Sequence, residues 1–352
     1  MRAVQLTGFG GPERLVYRDD VPDPVAAPGE VRVRVAAAAI NNTDIWTREG
    51  AYGTASDPAA TTGRRREPLV FPRIQGADVV GRVDQVGPGV DEGRIGERVL
   101  IDPMLYEGDE RALVTTDYLG SERDGGFAEL VTVPEGNAHR VDSPLSDVEP
   151  ASVPTSSATA LRMLDRAGMT RGDTVLITGS AGGVGVAALQ LVKTRGGRAI
   201  AVVGAGKERR ALELGADAVI TRGRAGLDEE VRALDLTGAE GQVDVVVDLV
   251  GGPEFAAMLR SLRPLGRYVV AGAMAGPLVE TDLRTVYLRQ LQIIGSSFGT
   301  HDQFRALIGH LAAGEIRPTV AATYPLRELR RAQADFVAKK HVGKLVILTQ
   351  AD

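Results

Sequence analysis

Residues 174–194 read as strand, glycine-rich turn and helix in that order, and this arrangement constrains the chain more than any other feature. Thr174–Thr178 (TVLIT) is a short β-branched and aliphatic run. The turn is Thr178-Gly179-Ser180-Ala181-Gly182-Gly183-Val184-Gly185, and Val184–Thr194 has the pattern of an apolar helix. Glycines at such a turn let the backbone reverse sharply and approach a pyrophosphate, whose charge is met by free N–H groups and the positive end of the helix. A glycine pattern alone says little; between a strand and a helix it predicts a dinucleotide-binding turn.

The surrounding segments agree. A helix is predicted from Thr155 to Ala167. Beyond the turn come strands at Arg198–Val203, Ala218–Ile220, Val243–Leu249, Gly266–Val270 and Leu291–Ile294, separated by helices at Lys207–Leu214, Leu227–Leu234 and Glu254–Leu262. Such alternation implies a parallel sheet covered on both faces, a doubly wound α/β domain. The N-terminal part reads differently, as short strands at Ala3–Leu6, Glu30–Val35, Asp78–Val86 and Glu97–Ile101 broken by turns such as Gly87-Pro88-Gly89. After a helix at Gln303–Ala313 the chain ends in the apolar strand Leu345–Leu348. A lone strand needs a sheet, so this one is expected to rejoin the N-terminal β domain. The expected division is 1–154, completed by 297–352, and 155–296. Residues 53–67 (GTASDPAATTGRRRE) have the polar composition of a mobile loop.

Composition narrows the chemistry. A net charge of −5 argues against a nucleic-acid surface, and no apolar run is long enough to span a membrane. Met1–Val4 leads straight into strand-like alternation rather than a signal-peptide core, so a cytoplasmic protein is expected. The chain has no cysteine, which removes disulfides and thiolate metal ligands. Its four histidines, His139, His301, His310 and His341, lack metal-site spacing. An NAD-preferring fold places a carboxylate about 20 residues past the glycine turn. Here Gly204-Ala205-Gly206-Lys207 stands there, with Arg209 and Arg210 following and Glu208 beyond the strand tip, which favours the 2′-phosphate of NADPH over NADH. A solvated basic helix face is the alternative.

The order of β domain, doubly wound domain and returning segment resembles the medium-chain dehydrogenase/reductase superfamily. The signatures are Ala39-Ile40-Asn41-Asn42-Thr43-Asp44, Gly76-Ala77-Asp78-Val79-Val80-Gly81, Gly87-Pro88-Gly89-Val90 and Gly96-Glu97-Arg98-Val99. Gly125-Gly126-Phe127-Ala128-Glu129, the glycine turn, Leu214-Gly215-Ala216-Asp217 and His341-Val342-Gly343-Lys344-Leu345-Val346 complete the set. The resemblance implies a GroES-like, mostly β catalytic domain beside a Rossmann domain, and a homodimer formed through the strand near Leu291–Ile294. Zinc members of the superfamily carry metal ligands where this chain has Asn41, Ala77 and Thr155, and four cysteines where the segment Asp102–Gly120 has none. Amide, methyl and hydroxyl groups do not suit zinc, so neither metal is expected.

What remains is similar to the zinc-free quinone oxidoreductase and enoyl reductase branch, which implies active-site roles for Asn41, Asp44 and Tyr52. Residues 53–71 are longer than that branch usually has. The resemblance also implies a cofactor site formed by Thr155, Thr159, Gly179, Ala181, Gly182, Gly183, Val184, Gly185, Gly204, Lys207, Arg209, Val250, Ala273, Phe298 and Lys344. Asn41 can donate an amide N–H, or act as a cap. Tyr52 carries a phenol of reference pKa about 10 that suits protonation of an enolate, or simply packs. Asp44 orients Asn41 or caps the following helix, and Asp78 faces the cofactor or a structural cation. Arg64-Arg65-Arg66 is either a solvated run or a basic lid over an acidic substrate such as a coenzyme A thioester.

The expected activity is NADPH-dependent reduction of a quinone, or of the C=C bond of an α,β-unsaturated carbonyl, as the small-molecule electron acceptor. Metal-free alcohol/carbonyl interconversion and a catalytically idle NADP(H)-binding protein are the alternatives left open.

Overall fold

The computed structural model describes residues 1–52, 69–223, 226–237 and 240–350; Arg64-Arg65-Arg66 and nearly all of the 53–71 segment lie outside them. The chain forms two compact units. The first comprises Met1–Thr155, Thr300–Ala312 and Pro318–Asp352, the second Ser156–Gly299 and Ala313–Arg317. Thr155 thus closes the first unit, and the chain re-enters it at Thr300. No helix among the described residues is long and apolar enough to cross a membrane.

The first unit is built on a seven-stranded sheet. Its order is Ala138–Arg140, Arg98–Ile101, Asp78–Val86, Glu30–Ala39, Lys344–Leu348, Val320–Pro325, with Leu130–Pro134 also pairing along Glu30–Ala39. Alternation in EVRVRV buries Val31, Val33 and Val35 on one face. Arg32 and Arg34 face the other way, where both meet Asp84 at 2.9 Å. The alternation then gives way to Ala37, Ala38 and Ala39, all fully buried, where the strand is flanked by Asp78–Val86 on one side and Lys344–Leu348 on the other. The terminal strand therefore does join the N-terminal sheet.

Register sets up the site. Ala39 lies opposite Asp78 on one neighbour and Val346 on the other, so Asn41, Asp78 and Lys344 share one end of three adjacent strands. Helix Asn42–Glu49 starts there and ends at Gly50 in the left-handed conformation. Its last turn is anchored by Arg48, which is 2% exposed. The guanidinium donates to the Gly10 carbonyl at 2.7 Å and to Gln333 Oε1 at 3.0 Å, and lies 3.2 Å from Glu49. Gln333 belongs to helix Leu329–Ala338, which together with strand Val320–Pro325 is absent from the sequence reading.

The second unit holds a six-stranded parallel sheet. Its order is Ala218–Thr221, Arg198–Val203, Thr174–Ile177, Val243–Asp248, Leu262–Val270, Gln292–Gly295, the 3-2-1-4-5-6 order of a doubly wound fold. The inner strands are mostly apolar, as burial on both faces requires, with polar residues such as Arg198 and Asp248 at their ends. Helices include Pro154–Arg166, which begins in the first unit, and Gly183–Thr194, Glu208–Glu213 and Phe255–Ser261.

Candidate active site

In the first unit, the strand-end register gathers a buried polar cluster. The Lys344 ammonium donates to Asn41 Oδ1 at 2.5 Å and to Asp78 Oδ2 at 3.0 Å, with Lys344 only 4% and Asp78 0% exposed. The other Asp78 oxygen accepts the Thr155 backbone N–H at 2.8 Å, and the Thr155 hydroxyl is 2.7 Å from the buried Tyr118 phenol. Lys344, expected from the resemblance at the cofactor, thus has its charge engaged by Asn41 and Asp78.

Asn41 is the N-cap of helix Asn42–Glu49, and Asp44 stands three residues on, at N3 rather than at the cap itself. Asp44 Oδ2 accepts the Asn41 backbone N–H at 2.7 Å, and Oδ1 accepts the Gly76 N–H at 3.3 Å. Complete burial pushes the Asp44 carboxyl up to about 7, opposed by the Asn41 N–H bond and the Lys344 charge and reinforced by Asp78. Its carboxylate holds the backbone at Asn41 and at Gly76. Gly76 sits at φ +99°, and a Cβ there would lie 2.8 Å from the Phe127 backbone nitrogen, so only glycine brings this N–H to Asp44.

Asn41 Nδ2 is buried and has no hydrogen-bond partner among the described residues. A lysine ammonium has donors only, so it selects the amide oxygen and leaves the N–H₂ as the unused end. The cluster therefore offers one oriented, desolvated donor. Tyr52 is half-buried just past the same helix and packs edge-on against Trp46, ring centroids 5.7 Å apart.

In the second unit the glycine turn follows strand Thr174–Ile177. Gly179 takes φ +61° against Val250 and Leu249, and Gly182 caps helix Gly183–Thr194 without a side chain. A Cβ on Gly185 would come within 2.5 Å of the Gly179 carbonyl oxygen, so the helix start lies directly on the turn. Ala181, Gly183 and Val184 are half-buried and Gly182 is exposed, leaving the turn backbone accessible for a pyrophosphate. Ser180 is spent internally, donating to the Ile177 carbonyl and accepting from Val202 N–H. Val250, Ala273 and Phe298 are half-buried in this unit, and Thr159 is buried in helix Pro154–Arg166.

Two residues of this unit escaped the sequence reading. Asp248, fully buried, ends the fourth strand; it accepts Thr178 Oγ1 at 2.6 Å, the Val250 N–H at 2.9 Å, the Gly251 N–H and the Tyr268 hydroxyl. It ties the ends of three strands together and shapes the loop carrying Val250. The second is Arg222. Val203 pairs with Thr221 in the parallel register, so Gly204–Lys207 and Arg222 leave adjacent strand ends. Burial and the nearby Arg222 guanidinium hold the Lys207 ammonium below its ordinary range. Arg209, by contrast, is 93% exposed and 3.6 Å from Glu213.

Among the described residues no group of three or more His, Cys, Asp or Glu is placed to hold a metal ion. Two oxygens of the cluster, on Asn41 and Asp78, are already bound to an ammonium. The donor set does not fit zinc.

Residues 27–143 match the alcohol dehydrogenase GroES-like domain and residues 183–313 the zinc-binding dehydrogenase domain. The chain is 31% identical to an acryloyl-coenzyme A reductase of Metallosphaera sedula, over 94% of this chain and 95% of that protein. It is 27% identical to a quinone oxidoreductase of Mus musculus, over 99% and 98%. A crystal structure from Sinorhizobium meliloti 1021, assigned provisionally as an alcohol dehydrogenase, superposes with a TM-score of 0.94 at 52% identity, over 99% of this chain and 96% of that one. With its GroES-like and Rossmann-type domains, the chain belongs to the medium-chain dehydrogenase/reductase superfamily of oxidoreductases.

Proposed function

We propose that this oxidoreductase is zinc-independent and NADPH-dependent, and reduces a quinone or the C=C bond of an α,β-unsaturated carbonyl compound, including an enoyl thioester. The observation that carries the reading is the Nδ2 of Asn41, buried and without a partner among the described residues, its amide held by an internal cation in a cluster whose donors do not suit a metal. Bound NADPH would supply hydride chemistry, which would leave negative charge on the conjugated oxygen of the acceptor. Asn41 Nδ2 donates to that oxygen, and its burial keeps water from competing. An enolate or hydroquinone anion is basic enough to take a proton from a phenol such as Tyr52.

The acceptor class is tested by following NADPH oxidation with a quinone, an enone, a crotonyl- or acryloyl-type thioester and a simple aldehyde. Turnover of the first three classes over the aldehyde is expected. Activity on the aldehyde alone would replace this reading with carbonyl/alcohol chemistry, and NADPH binding without any turnover would favour the idle-binder alternative.

The cofactor preference rests on Lys207 and Arg222 meeting the 2′-phosphate. Replacing either with alanine is expected to raise the KM for NADPH by about tenfold, the worth of one charge-assisted hydrogen bond, while the KM for NADH barely moves. Arg209→Ala should do little because that guanidinium is solvated beside Glu213. Equal losses with both cofactors would count against the phosphate contact.

We also propose a homodimer. Strand Gln292–Gly295 is the sheet edge, and Leu283, Tyr287, Leu288 and Ile293 expose 68%, 61%, 70% and 47% of their surface on and beside it. Pairing this edge with a second copy would cover them. Light scattering is expected to give a dimer for the natural chain and a monomer for Ile293→Lys; a monomer in both would sink the proposal.

A further inference from the structure

We infer that Lys344 is a positioning residue whose ammonium fixes which end of the Asn41 amide faces the acceptor. This rests on Asn41 donating to the acceptor oxygen as proposed above, but the clamp itself is read from geometry alone. The two ends of an asparagine amide are nearly isosteric and opposite in sign. If the amide turned over, its carbonyl oxygen would face the developing oxyanion, and the electrostatic contribution would reverse.

At the helix start the Asn41 side chain faces the Asp44 backbone N–H in a capping box, a neutral contact that favours the same end of the amide. The charged restraint comes from Lys344, 303 residues away, whose Nζ lies 2.5 Å from Asn41 Oδ1 and 3.0 Å from Asp78 Oδ2. Asp78 is itself pinned, because its second oxygen accepts the Thr155 backbone N–H at 2.8 Å. The ammonium is therefore held on one side by a fixed carboxylate and presents only donors to the amide. Turning Asn41 over would set an N–H₂ group against a buried N–H₃⁺ with no water to relieve it. The same contact draws electron density toward Oδ1, which strengthens the remaining N–H as a donor. Lys344 thus gives the site a directional dipole where the sequence by itself supplies an ambiguous one.

The test uses the full chain. It contains three asparagines, Asn41, Asn42 and Asn137, so ¹⁵N-asparagine labelling gives three side-chain N–H₂ pairs, and Asn41→Ala identifies the one that matters. Asn137 Nδ2 donates to the Asp102 and Met104 carbonyls, and Asn42 Oδ1 accepts from Lys339, so both serve as internal references. Lys344→Met leaves Asp78 as an unpaired buried charge and endangers folding. The double variant Lys344→Met/Asp78→Asn removes both charges and avoids that penalty.

In the double variant, where Asp78→Asn adds a fourth pair, the Asn41 pair is expected to shift and broaden as the amide turns, while the Asn42 and Asn137 pairs stay in place. Lys344→Arg, which also presents donors only, is expected to keep the Asn41 pair and most of the rate. With the best acceptor, kcat should fall about 100-fold without Lys344, the usual cost of one oxyanion donor. Adding Lys344→Met to Asn41→Ala should cost little more, because both changes remove the same donor.

An Asn41 pair unchanged by loss of Lys344 overturns the inference. So does a rate loss that adds in full to that of Asn41→Ala. If no acceptor is reduced by the natural chain, the functional reading fails, and the resonance experiment still decides the clamp.

Discussion

Asn41→Ala is expected to lower kcat by about 10²–10³, the loss seen when a single desolvated oxyanion donor is removed, with the KM for NADPH nearly unchanged. The reason lies in the cluster. Asn41 Nδ2 is buried and has no partner among the described residues, so in the proposed reaction its hydrogen bond is made when an acceptor oxygen arrives and strengthens as charge develops there. Alanine also strips one acceptor from the Lys344 ammonium, so a modest fall in thermal stability accompanies the loss of rate. Asn41→Asp separates the two effects. A carboxylate keeps the Lys344 contact but faces the developing oxyanion with a negative charge, so this variant should remain stable and be at least as slow as alanine. Stopped-flow hydride transfer and a melting curve for each variant make the check. A stable Asn41→Asp enzyme with undiminished kcat would remove Asn41 from the reaction.

Arg48→Ala is expected to destabilise the first unit by about 3–5 kcal/mol, the range for truncating a large, fully buried side chain. Arg48 is among the largest fully buried side chains, and it fastens helix Asn42–Glu49 to the Gly10 loop and to helix Leu329–Ala338. Alanine leaves the Gly10 carbonyl and Gln333 Oε1 without this donor and opens a cavity where the side chain lay. For a unit of this size such a loss lowers Tm by roughly 10 °C. Arg48→Lys should fall between, since an ammonium keeps the charge but lacks the fork that reaches both partners. Denaturant unfolding checks both variants, and an alanine variant within 1 kcal/mol of the natural chain, taking about 1 kcal/mol as a typical mutational cost, would show that the helix is held by other contacts.

Where local signals are strong the fold is legible in the sequence. Ala3–Leu6, Asp78–Val86 and Arg198–Val203 begin and end as strands at the residues that alternation and flanking turns predict. Val320–Pro325 escapes because its residues are half-exposed at a sheet edge and carry little pattern. Helix Leu329–Ala338 does leave a trace, with Leu329, Ala332 and Phe336 at helical spacing and buried, weakened by the polar residues between them.

The site is legible in parts. Motifs single out Asn41, Asp44, Asp78 and Thr155, but not the contacts that make them one cluster. Lys344 reaches Asn41 only through sheet pairing across 303 residues, and Tyr118 reaches Thr155 across 37. Arg222 illustrates the same limit, since it approaches Lys207 only because two parallel strands end side by side. Asp248 carries a fainter signal, a carboxylate closing an apolar strand before a glycine pair; two of its four donors, Val250 and Gly251, are local, and the other two, Thr178 and Tyr268, come from other strands.

The strand Lys344–Leu348 lies between Glu30–Ala39 and Val320–Pro325, and this placement governs the order in which the molecule is made. A ribosome releases Glu30–Ala39 long before its partner exists; for Asn41 and Lys344 the interval of 303 residues is roughly 15–60 s at 5–20 residues per second. The dinucleotide-binding unit, drawn almost wholly from Ser156–Gly299, can close during that wait. The first sheet cannot, and one edge of its longest strand stays open to mispairing until Lys344–Leu348 emerges. Lys344, the cation that positions Asn41, emerges only after Ser156–Gly299, so the nucleotide-binding fold can form before the cluster around Asn41 is whole.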